Sequence, residues 1–427
     1  MKNFQIIILI VFIAAAIFGV LVFSGTIPLG RDESAGQGTV VLWGTLPSAL
    51  ISGALETFNQ THPSFVTNYV EKSPETFDRE LLEALASGAG PDLLFLPDEL
   101  AYGYADKIFP IPYESFPMSA FKNTFAGAGE VFATEEGILA LPLAVDPMVM
   151  YYNRSILDAE GVINPPASWE ELADLAPILT KKDENGRLAK SAVALGQFSN
   201  ITHAKDILAG LFMQRGNPIV RQVEGAFVSE LAGGGYNFAP VLEFYTRFAD
   251  PLQSVYSWNK SLPASVDSWS AENLAFYMGY ASELPTLVSK NPNQNFLAAP
   301  FPQISGVNFK LTPAKVTGVA VSRFSKNFNT AFIAASEMAT GPFALDISAA
   351  LRTPPARRDL LAGRPTDSFS PVFYSGALYA RSWLDPSPLN TDAIFRNMVE
   401  KTLANTLSPE DAITDAGAKM QLLLIRR

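Results

Sequence analysis

Strand-like and helix-like segments alternate at the start of the folded part of the chain, and this alternation restricts the fold more than any other feature. Val40-Val41-Leu42-Trp43 is a short apolar run, rich in β-branched residues, that ends at Gly44. A helical pattern follows from Pro47, where proline suits a first helical turn, with Leu50, Ala54, Leu55 and Phe58 on one face. The cycle repeats: Phe65 to Val70 reads as a strand, Pro74 to Ala86 as a helix ending at Gly88, and Leu93 to Leu96 as a further strand. Strands alternating with helices make βαβ units and a mostly parallel sheet. In such sheets ligands sit beyond the carboxyl ends of the strands. Trp43 and Thr45 fall there for the first strand, Asp98 and Glu99 for the third.

Composition removes several classes of chemistry. The chain has no cysteine, so thiolate metal sites, disulfides and thiol nucleophiles are excluded. Its two histidines, His62 and His203, are too far apart for an HExxH-type pair. A net charge of −11 lacks the basic footprint of a nucleic-acid binder, and 48% hydrophobic content excludes disorder. The 427 residues suggest two domains. No GxxxxGK[ST], GxGxxG or GxSxG motif is present, so no cofactor or metal is expected.

From Ile6 to Phe23 the sequence runs 18 residues without a charge or proline. A bilayer needs about 20 apolar residues as helix, with a lower limit near 17, against about 7–15 for a cleaved signal. Residues 1–25 therefore read as one transmembrane anchor, with cleavage after the small residues Ser24 and Gly25 as the alternative. Lys2 before the span keeps the amino terminus inside and exports the rest. Residues 26–38 read as a flexible tether. The protein is then expected on the extracytoplasmic face of the membrane, or secreted or periplasmic if the segment is removed.

Further along, the apolar segment Leu139 to Tyr152 is interrupted at Asp146-Pro147, which suggests a chain crossing between lobes. Ser168 is placed to cap a helix opening at Trp169. The run Leu274 to Gly279 is strand-like and leads into Tyr280-Ala281-Ser282-Glu283.

An ordered set of segments resembles the family 1 extracellular solute-binding proteins of ABC importers, the maltose-binding-protein type. It comprises LETFNQTHPSF (55–65), LASGAGPDLLFLPDE (85–99), ILALPLAVDPMVMYYNRSIL (138–157), PPASWEELADLAPILTKKD (165–183), VLEFYTRFADP (241–251), AENLAFYMGYASELP (271–285), FLAAPFPQ (296–303), TGVAVSRFSKN (317–327) and LSPEDAITDAGAKMQ (407–421). The resemblance implies an α/β, two-lobe periplasmic-binding-protein-like fold of type II with a hinge. Lobe one would be 39–144 and 318–360, lobe two 145–317 and 361–427. Such proteins bind rather than catalyse. A solute, here with a sugar or oligosaccharide favoured, would be enclosed between the lobes and handed to ABC permease subunits. The alternatives are a transporter-free sensor or adhesin using the same cleft, or a surface glycosidase with two carboxylates ~5–9.5 Å apart, a pair nothing in the sequence marks.

Each candidate ligand contact has a plainer structural reading beside it. Trp43 is either core or an aromatic floor. Asp98 and Glu99 are helix N-terminal charges or hydroxyl acceptors. Asp146, a carboxylate between apolar strands, is costly unless partnered, and the resemblance puts it at the hinge. Tyr280, Ser282 and Glu283 carry ligand contacts in the resembling segment, whereas Ser282 alone would serve as a cap. Thr317 and Gly318 open the second crossing by resemblance, with Gly318 admitting a close backbone approach. Asn200 reads as a cap or a contact, and Trp258 and Trp269 as cleft or core. Arg352 resembles a loop at the cleft mouth or is a surface arginine.

Overall fold

The alternation at the start of the chain becomes one edge of a ten-stranded sheet. The computed structural model describes residues 37–425 except 217, 232–236 and 364. The anchor read over residues 1–25 and nearly all of the tether lie outside them. Among the described residues no helix is long and apolar enough to cross a membrane. Gly38, read as the end of the tether, is already the first strand residue.

The strand Gly38–Gly44 pairs in parallel with Phe65–Glu71 on one side and Leu93–Pro97 on the other. Between them run the helices Ser48–Thr61 and Phe77–Ser87. The first buries Ile51, Leu55 and Phe58, each worth roughly 1.5–3 kcal/mol of transfer free energy. The second ends at Gly88, whose φ of 69° lets its N–H return to the last carbonyls of the helix. Ser168 caps Trp169–Leu179 as its position predicts, accepting from the Glu171 N–H.

Two strands join the halves of the molecule. Leu141–Asn153 is a single 13-residue strand. Its first part pairs antiparallel with Thr312–Val321, its second with Leu274–Tyr280 and Phe296–Pro300. The break expected at Asp146-Pro147 is instead continuous strand. The change of partner falls there, and Asp146 stands opposite Lys315. Thr312–Val321 reaches back to pair with Leu93–Pro97. A third passage runs alongside, with Val145 N–H donating to Pro354 O and Ala380–Arg381 pairing with Thr312–Pro313.

The fold is a mixed α/β structure of two lobes, each around its own hydrophobic core. The first core is built from Val40, Leu42, Leu96, Phe132 and Val319 with the helices that follow, and it also takes Val145, Val316, Ala377 and Ala380. The second gathers Tyr151, Trp169, Trp258, Trp269 and Phe276. Tyr102 belongs by sequence to the first half but packs in the second core. Its hydroxyl donates to Leu424 O, and its ring meets Phe227 edge-on.

Candidate functional site

The strand ends of the first lobe face the second lobe across the crossing strands. Asp98 follows Pro97 directly and opens a short 3-10 turn, Asp98–Leu100. It is 5% exposed. One carboxylate oxygen accepts the Val316 N–H at 3.1 Å, and the other accepts the Ser382 hydroxyl. Asp98 thus ties the first sheet to the second and third passages. Burial dominates its titration and lifts the carboxyl to about 7, against the two hydrogen bonds.

Lys315 lies on the second crossing strand among carboxylates. Its ammonium sits 4.9 Å from the centre of the Tyr280 ring. Burial works against the charge, but Asp206, Glu99, Asp98 and Asp146 together hold its pKa above the ordinary lysine value. Lys205, at the start of the helix Ala204–Gln214, is bonded to Asp385 at 2.8 Å.

The second lobe supplies a connected polar wall. Glu283 accepts from the Tyr277 hydroxyl at 2.7 Å and the Tyr280 N–H at 2.7 Å, and lies 2.7 Å from His203 Nε2. Burial pushes its pKa up, but these partners outweigh that and hold it below the usual glutamate range. His203 immediately precedes the helix Ala204–Gln214. Its backbone sits at φ 62°, its side chain makes no cap bond, and it turns instead to Glu283. Ser282 donates through both its N–H (3.0 Å) and its hydroxyl (2.6 Å) to Asp146. Burial lifts the Asp146 carboxyl to about 6 against those bonds.

Beside Ala281 a cavity of about 450 Å³ opens between the lobes. Ser348 and Ala349 wall it from a helix of the first core, and Leu284 and Phe373 from the second. Arg352 lies at its side, with φ 57° ending the helix Phe343–Leu351. The Thr353 hydroxyl is buried here and makes no hydrogen bond among the described residues. Phe373 and Tyr374 present aromatic rings.

The remaining candidates fall elsewhere. Trp43 is 8% exposed, and the Lys72 ammonium covers its ring at 3.9 Å. Thr45 is half-buried in the bend after the first strand. Trp258 and Trp269 are wholly buried, which places both in the core rather than along the cleft. Asn200 is a loop staple. Its amide donates to Asn259 O and Leu262 O and its oxygen accepts from Trp258 Nε1, leaving it no free donor for a ligand. The close approach at Gly318 is made by protein, since a side chain there would strike Phe132 and Ala140 within 2.9 Å. Thr317 pairs with Pro97 and Ala144 in the sheet. The structure therefore brings together Asp98, Glu99 and Tyr280 around Lys315, links Asp146 to Ser282, and sets Arg352 at the cavity. Sequence reasoning missed Asp206, Lys315, Thr353, Phe373 and Tyr374. Only strand pairing puts Lys315 opposite Asp146, and no local pattern announces that register. Among the described residues no group of His, Asp or Glu is arranged to hold a metal ion.

Residues 43–335 match the family described as bacterial extracellular solute-binding protein. A binding protein of Brucella abortus (strain 2308) and one of Brucella suis biovar 1 (strain 1330) are each 24% identical over 174 residues, 39% of this chain. The match spans 42% of the length of these relatives. Among solved structures, a cyclo/maltodextrin-binding protein complexed with maltotetraose superposes with a TM-score of 0.72 at 15% identity, covering 91% of this chain and 97% of the other. The sugar-binding protein of Xanthomonas citri gives 0.71 at 15% identity, with 91% and 98% covered. An ABC substrate-binding protein of Listeria monocytogenes in complex with cycloalternan gives 0.64 at 15% identity, with 90% and 98% covered. At these identities the likeness speaks for the fold.

Proposed function

The chain belongs to the bacterial extracellular solute-binding proteins, and from that premise we propose that it is a receptor for a sugar or oligosaccharide. Lobe one comprises 39–144 and 318–360, lobe two 145–317 and 361–427. The solute lies between them and favours closure because it touches both. The closed form delivers it to the transmembrane subunits of an ABC permease. Residues 6–23 hold the receptor at the extracytoplasmic face.

The 450 Å³ cavity beside Ala281, walled by both lobes, carries this reading. Its volume lies in the usual range for small-ligand pockets, about 300–1,000 Å³. The ring of Tyr374, half-buried in the wall, suits stacking on a sugar ring. Thr353 offers a hydroxyl whose lack of a partner a ligand hydroxyl would correct. Asp146 and Ser282 tie the first crossing strand to the second lobe at the point where the lobes must rotate. The sugars bound in the superposed relatives are consistent with this choice.

The test is a melting screen of the purified full-length protein against sugars, amino acids, polyamines and metal ions. The true ligand at 100 times its Kd should stabilise the folded state by about 2.7 kcal/mol. A shift produced only by amino acids or metal ions would overturn the sugar assignment. Uptake of the identified sugar by cells lacking the protein should fall. Unchanged uptake would remove the permease from the proposal.

A further inference from the structure

We propose a second binding site, for an anionic ring compound, in another cavity of the interlobe seam. A cavity of about 530 Å³ lies between the turn Gly127–Phe132 of the first lobe and the second-lobe hairpin Val220–Val223/Ala226–Ser229. None of the candidate residues read from the sequence lines it. Arg381 and Lys310 both line it, and neither forms an ion pair with a carboxylate among the described residues. Glu130, the acid in the wall, is already bonded to Lys122 at 3.1 Å. The cavity therefore carries unneutralised positive charge in a chain whose net charge is −11. Two cations without counter-ions in a concave, partly apolar wall are a receptor for phosphate or carboxylate.

Its other lining is aromatic. Trp383, Phe227 and the exposed Phe309 add aromatic surface to the wall, which suits the apolar side of a sugar or other cyclic solute. Gly127 is what allows the guanidinium of Arg381 to lie there: a side chain at that position would strike it at 1.9 Å. The occupant is thus a ring bearing one phosphate or carboxylate, of monosaccharide to disaccharide size. Because both lobes wall the cavity, an occupant also biases the angle between them. Gln222, which lines it, already accepts the Glu135 N–H of the first lobe at 3.0 Å.

The experiment is calorimetric titration of the full-length protein with glucose 6-phosphate, glucuronate, glucose and inorganic phosphate. Glucose 6-phosphate or glucuronate should bind at least tenfold tighter than glucose and inorganic phosphate, identifying phosphate or carboxylate as the preferred anion. Lys310→Gln and Arg381→Gln, both at exposed positions, should each weaken that binding about tenfold, as should Gly127→Ala by displacing the guanidinium. Absence of binding at millimolar concentration overturns the proposal. So does equal binding of inorganic phosphate, which would indicate a bare charge patch. Binding that is lost in Phe373→Ala but unaffected by Lys310→Gln and Arg381→Gln would assign the anion to the first cleft, and also overturns it.

Discussion

Asp98 and Asp146 perform related tasks on the two sides of the crossing floor, with different surroundings. Asp98 is almost inaccessible and holds a backbone N–H of one passage and a hydroxyl of another. Asp146 is half-buried, and both of its bonds go to a single exposed residue, Ser282. The first arrangement fixes the three passages together within the hinge. The second joins a passage to the second lobe, through partners that water can replace. One carboxylate is therefore a buried fastening of the crossing floor and the other an exchangeable one.

The largest separation between them should appear in pH dependence. A folded-state pKa of about 7 for Asp98, against the ordinary aspartate value of 3.8, means that the folded protein binds protons more tightly than the unfolded chain. Its stabilising contribution is complete below pH 4 and is lost as pH rises towards 7, by an amount on the order of 4 kcal/mol. Asp98→Asn removes that slope, so its stability relative to the native protein should improve steadily from pH 4 to 7 in urea titrations. Asp146→Asn should show the same sign over a narrower window, ending near pH 6. Parallel stability–pH curves for Asp98→Asn and the native protein would refute the distinction.

A smaller effect is expected from truncation at constant pH. Asp98→Ala leaves the Val316 N–H buried without a partner, at a cost of about 1–3 kcal/mol. Asp146→Ala should cost less than about 1 kcal/mol, because Ser282 is exposed and rehydrates. In ligand titrations the order should reverse, with Asp146→Ala abolishing the ligand-dependent melting shift while the protein stays folded. Retained binding in that variant would remove Asp146 from the cleft.

The smallest expected effect concerns the contact between the lobes at Tyr102. Tyr102→Phe keeps the ring packed on Phe227 and removes the bond to Leu424 O. A loss of about 0.5–1.5 kcal/mol should follow, with a slightly more open average shape in small-angle scattering. A loss as large as that of Asp98→Ala would place the main fastening at the rim rather than at the floor.

The sequence revealed the parts of this architecture that depend on local periodicity. The first two βαβ units, the Ser168 cap and the crossing at Asp146 are each encoded within a few residues. The candidate site is less legible because its chemistry arises from pairing across long separations. Lys315 meets Asp146 only through antiparallel register, and Ser382 meets Asp98 only because the third passage returns. Aromatic residues were the poorest guide. Trp258 and Trp269 sit in polar sequence surroundings yet fill the second core, while Phe373 and Tyr374, in an unremarked helix, line the cavity.

The order of strands has a consequence for synthesis. Thr312–Val321 lies between Leu93–Pro97 and Leu141–Asn153. Until it has been made, each of those earlier strands exposes an unpaired edge. The second lobe's main strands are all available once Pro300 has emerged. The first lobe, begun first, therefore gains its last central strand only after the second lobe's main strands are all made, and a nascent chain must be kept from pairing its open edges with other chains until more than 320 residues have been produced.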